Sequence, residues 1–133
     1  MNATITLFDE AFTARHEAVR DRLEKRKDAF QKHFKVNPAE AIKSHAEIVS
    51  ESQYELAAWD YAASAYVAKI GDRFRNPKEA VEAAIESLVR HVLITATSGQ
   101  YTSGFYNAVT HADLVGTRAA ITELEYLANH PAA

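Results

Sequence analysis

Six histidines and eighteen carboxylates make up the reactive repertoire of this 133-residue chain, which has no cysteine. A thiol nucleophile, a thiolate metal centre and a disulfide framework are therefore excluded. The histidines (His16, His33, His45, His91, His111, His130) form no H-x-x-x-H or H-E-x-x-H zinc pattern. No glutamate lies three residues before a histidine, so the Glu-x-x-His element of a di-iron bundle is missing. Glu47, Glu51 and Glu55, like Glu82 and Glu86, stack carboxylates at a spacing of four, where Mg²⁺ could be held. With no His or Asp beside them in the sequence, a solvated helix face is the preferred reading. G-x-S-x-G, P-loop and dinucleotide-binding glycine patterns are absent. His91, followed by Val92-Leu93-Ile94, is the one histidine placed for axial haem ligation, and it stands alone. The sequence assigns no catalytic residue, no metal ligand and no cofactor.

One polar constellation remains. Ile42, Val49, Leu56, Ala63 and Ile70 repeat at seven, and Gln53 and Asp60 occupy the companion positions where Leu or Val would be expected. A carboxylate on a buried seam must be paired or held neutral. Asp60 with Trp59, Tyr61, His91, Tyr101 and Tyr106 then makes a candidate ligand pocket. Tyrosine and tryptophan serve a core edge or an interface equally well. The preferred expectation is an exposed Asp60 and aromatics in the core or an interface.

Charge supplies the other candidate surface. From Arg15 to Lys35 there are eight Lys or Arg against four Asp or Glu, a net of +4; the chain's net charge of -3 leaves -7 on the remainder. Such a segment can meet an acidic protein surface or neutralise phosphates. Acid-first pairs at a spacing of four (Asp21 to Lys25, Asp28 to Lys32) support a helix face balanced by itself. No Gly or Ser is interleaved among the cations, and the acidic body repels polyanions. Nucleic acid is therefore the weaker alternative. Phe8, Phe12, Arg15, Arg22, Lys25 and Arg26 are the expected contacts of a protein partner or sister chain.

The elements that must position these groups are helices. Four Gly and three Pro give too few breaks for many turns. Phe8, Phe12, Val19, Leu23, Phe30 and Phe34 recur with steps of 4, 7, 4, 7 and 4, an eleven-residue period that predicts a straight helix over 7–35. Asn37-Pro38-Ala39-Glu40 and Asn76-Pro77-Lys78-Glu79 each read as an Asn cap, a Pro at the first helical position and an early acid. The spacing predicts helices from Pro38 to Ile70 and from Pro77 onward, the first divided at Ser50 by a capping box with Gln53. A short helix over 101–109 and a last one capped by Thr110 complete the series.

The expected fold is all-α: a single-domain bundle of five or six helices, with a long charged N-terminal helix (7–35) on a helical body (37–130). No apolar run spans a membrane and no leader pattern opens the chain, so a cytoplasmic location is expected. The leading functional expectation is a non-enzymatic interaction module, a homo-oligomer or a binder of one protein partner. A small-ligand or catalytic bundle using Asp60, His91 and the tyrosines is the alternative.

Overall fold

The computed structural model describes residues 3–70, 77–97 and 111–130. Among the described residues the fold is all-α, a bundle of four helices rather than five or six. Helix α1 is Ala3–Val36. Helix α2 covers 38–70 as one rod, made of Pro38–Ala41, a π-helical turn at Ile42–Ala46, and Glu47–Ile70. Helix α3 is Pro77–Thr97 and α4 is His111–Asn129. The expected helix over 101–109 and the Thr110 and Asn76 caps lie outside the described residues.

The Asn37 signal folds as its chemistry dictates. Its side chain accepts from the Glu40 amide at 3.3 Å and Pro38 occupies the first helical position. Ser50 does not break α2. Nearby Ser52 turns inward instead, and its hydroxyl accepts from Arg26 at 2.5 Å. The irregularity sits earlier, in the π turn, which holds one residue more than an α turn. Each residue advances an α-helix by about 100°, so residues before the turn fall out of phase with those after it. Ile42 is consequently 53% exposed, while Val49 is buried. The buried stripe of α2 is Val49, Ser52, Glu55, Ala58, Trp59, Ala62 and Tyr66, a period near 3.6 rather than the expected heptad. Gln53 and Asp60 fall outside it and are exposed.

The chain runs up, down, up, down. Residue pairs along α1 and α2 (Phe12 with Tyr66, Arg22 with Glu55, His33 with His45) set those two antiparallel. Helices α2, α3 and α4 pack mutually, and α1 lies chiefly along α2. Much of the core is small: Ala58, Ala62, Ala80, Ala84, Ala112, Gly116 and Ala120 let the helix axes approach closely. Trp59, Leu88, Leu124 and Leu127 fill the remaining volume. No described helix is long and apolar enough to cross a membrane.

Candidate functional site

The cations of α1 divide into two sets. One faces the chain's own body. Arg15 stacks over the Tyr126 ring of α4 at 5.0 Å, and Arg20 lies 3.9 Å from Asp60. Arg22 pairs with the largely buried Glu55, and Arg26 donates to Ser52. The other set faces outward: Lys25 is exposed, and Lys27 and Lys32 make local pairs with Glu24 and Asp28. The +4 segment is thus in good part a docking strip for its own acidic bundle. Arg15, Arg22 and Arg26, expected at a partner, already hold intramolecular contacts. Phe8 and Phe12 are each 4% exposed and sit within the chain's own core.

Beside that strip α1 and α2 enclose a groove of 630 Å³. Its apolar lining is Ala18, Ala29, Ile48 and Val49; Arg22, Lys25 and Arg26 supply its positive rim beside His45, with Asp21 the one acid among the described residues. Positions 18, 22, 25 and 29 share one face of α1, which makes the groove a continuous helix-facing surface. Ile48 in that lining is 47% exposed, and farther along the hairpin Phe34 (45%) and Val36 (84%) are exposed as well.

A smaller cavity of 250 Å³ lies between α2, α3 and α4, lined by Tyr54, Ala57, Ala58, Tyr61, Leu88, His91, Asp113 and Thr117. His91 Nε2 lies 3.1 Å from both Asp113 oxygens, and the Thr117 hydroxyl donates to Asp113 at 3.0 Å. An ionised Asp113 places the imidazole proton on Nε2, the orientation an Asp gives to a working histidine. The Tyr61 ring stands 6.5 Å from that of His91.

The expected pocket set is therefore split. Tyr61 and His91 come together, but their acid is Asp113, from a helix the sequence reading did not connect to them. Asp60, one residue from Tyr61, points toward α1, with its side chain 56% exposed and 2.7 Å from His16 Nε2. Trp59 is fully buried, its ring 5.1 Å from Phe12 and 5.9 Å from His16. Tyr101 and Tyr106 lie outside the described residues. The only sequence signal for Asp113 is its place in the first turn of α4, which reads as capping chemistry.

Two buried groups are displaced in their titration. Burial, reinforced by the hydrogen bond to Asp9 at 2.5 Å, pushes the Tyr66 hydroxyl well above its ordinary range. Glu123 on α4 is raised first by burial and then by the nearby Glu55 carboxylate, against the pull of Arg22, Arg15 and the Trp59 indole N–H. The indole nitrogen and Glu123 Oε2 are both buried, and neither completes a hydrogen bond of normal geometry. A raised carboxyl binds its proton more tightly in the folded chain than in the unfolded one. Its penalty is absent below the ordinary carboxylate range, grows as pH rises from the unfolded value toward the raised folded one, and is complete above it. Glu123→Gln is expected to raise the melting temperature at pH 7, with the gain vanishing below about pH 3, where glutamate is protonated in both states. Thermal unfolding of both proteins from acid to neutral pH measures this; equal stability at pH 7 would contradict it.

Compared with protein-family models, curated proteins and solved structures, the chain matches none.

Proposed function

We propose that this chain is a non-enzymatic helical interaction module that associates with a second copy of itself through the α1–α2 groove. The groove carries this reading: an apolar floor that includes the exposed Ile48, with the exposed Lys25 at its rim beside the internally bonded Arg22 and Arg26, on a hairpin whose far end leaves Phe34 exposed. Its complement lies on the same molecule. Glu82, Glu86, Val89 and Leu93 form one outward face of α3, with Val89 49% and Leu93 63% exposed. An acidic and apolar helix face suits a basic and apolar groove, and opposite potentials steer encounter as well as register. Two such contacts related by a twofold axis close a dimer; a single contact repeated head to tail gives an open chain.

Light scattering at rising protein concentration should show association that weakens with salt. Lys25→Glu with Ala29→Glu changes only exposed groove positions and should weaken it at least tenfold. Glu82→Lys with Glu86→Lys should do the same from the other side, and mixing the two variants should restore a heterodimer. A monomer at high micromolar concentration and low salt overturns the proposal, as does association indifferent to both variants.

The His91–Asp113–Thr117 chain favours a second reading, small-ligand binding in the inner cavity. At 250 Å³ that cavity falls below the roughly 300–1,000 Å³ of ordinary ligand pockets, and it ranks second. Nucleic acid ranks last, because Arg15, Arg20, Arg22 and Arg26 are turned to the chain's own side chains.

A further inference from the structure

We infer that Glu47, Glu51 and His111 form a binding site for a first-row divalent transition metal, with zinc as its natural probe. One ligand atom from each of these residues lies within 4.8 Å of the other two. Glu47 and Glu51 are one turn apart on α2, so both carboxylates project from the same face. The imidazole comes from the first residue of α4, sixty positions later in the chain. That distance in sequence is why the stacked glutamates look like a bare solvated face until the chain is folded.

The scaffold holds the three in place. Five residues after His111, Gly116 brings the α4 backbone against the α2 backbone at Glu51 and Glu55. The ligands thus stand beside a close backbone approach of α4 to α2. Among the described residues no Lys or Arg forms an ion pair with Glu47 or Glu51. Two carboxylates and an imidazole therefore converge with no cation among the described residues paired to them.

The donor set decides the class of ion. Imidazole with carboxylate suits zinc, iron, nickel and manganese, whereas magnesium and calcium favour an all-oxygen shell. Ligand atoms about 2.1 Å from a metal lie at most about 4.2 Å apart, so any pair standing near the 4.8 Å limit closes slightly when an ion binds. Glu47 is exposed and Glu51 half-buried at the surface, and a glutamate side chain covers that distance by rotamer change. Three protein ligands leave at least one position for water or a donor from another molecule.

The test is zinc titration of untagged protein by calorimetry, repeated with Co²⁺ to read coordination from its visible spectrum. Saturable binding of one ion per chain is expected. His111→Ala should weaken it at least tenfold, and Glu51→Gln comparably. His33 and His45, 3.1 Å apart where α1 meets α2, are the competing imidazole pair; His45→Ala should leave the binding unchanged. Circular dichroism should show His111→Ala fully helical, because that side chain is exposed. Absence of one-to-one binding, binding that survives His111→Ala, or binding lost in His45→Ala would overturn the site.

Discussion

Gly116→Ala is expected to destabilise this protein by roughly 1–3 kcal/mol, although alanine is the better helix former. The intrinsic preference of a helix interior for alanine over glycine is worth about 1 kcal/mol in the opposite direction. At this position a Cβ would stand 2.5 Å from the Glu55 amide nitrogen, 2.6 Å from the Glu51 carbonyl oxygen and 2.8 Å from Tyr54 Cβ. The first two are backbone atoms of α2, linked through the helix's own hydrogen-bond ladder, so no rotamer change relieves the overlap. Helices α2 and α4 must move apart along a seam built for closeness, with Ala112 and Ala120 one turn to either side. Forced overpacking of this kind usually costs 1–3 kcal/mol and sometimes more, which outweighs the propensity gain. Urea unfolding followed by circular dichroism gives the difference directly. Stability equal to or above that of the parent chain would show that the crossing is looser than the structure has it. Because His111 rides on the same helix, the variant should also weaken zinc binding in proportion to the displacement.

The small residues of that seam mark where sequence reading ran short. Large apolar spacing gives α1 its stripe through Phe8, Phe12, Val19 and Leu23, all buried. It also carries the stripe on to Phe34, yet Phe34 is 45% exposed. The Ala112, Gly116, Ala120 row carries little hydrophobicity, so it leaves almost no trace in an apolar pattern while setting the helix separation. Capping chemistry was legible because it is local: Asn37, Pro38 and Glu40 satisfy one another within a single turn. The π turn was not, since Ile42–Ala46 contains no Gly or Pro to announce it. Exposure of Asp60 agrees with the preferred reading, through a helical rather than a heptad period and not through a break at Ser50. Pairings between distant helices, Asp113 with His91 and His111 with Glu47, depend on the crossing of α4 over α2 and α3. Nothing local in the sequence encodes them. The groove falls between these cases: Arg22, Lys25 and Arg26 were legible as a surface, but the apolar floor beneath them needs Ile48 and Val49 from the facing helix.

Phe12→Ala is expected to cost about 3–5 kcal/mol, the usual loss when a buried phenylalanine is truncated, and to act on α1 before the rest of the bundle. The Phe12 ring stacks on Tyr66 at 4.5 Å and 11°, and meets Trp59 edge-on at 5.1 Å and 69°. Such aromatic pairs add about 0.5–1.5 kcal/mol to the area they bury. Together with Phe8 these rings form the apolar lock between the start of α1 and the end of α2. Helix α1 leans on α2 and touches α3 and α4 little, whereas the other three helices support one another. Loosening the lock should therefore release α1 as a unit while α2, α3 and α4 stay protected, a subglobal opening of the kind hydrogen exchange resolves. Amides of residues 8–23 should lose protection in Phe12→Ala well ahead of those in 80–88 and 117–127. The sequence expectation made Phe12 a partner contact, and the same variant separates the two roles. Unchanged stability with lost association would return Phe12 to an interface. Lost stability, with association falling only as far as the unfolded fraction explains, would leave the lysine-rimmed groove as the surface through which α1 meets another molecule.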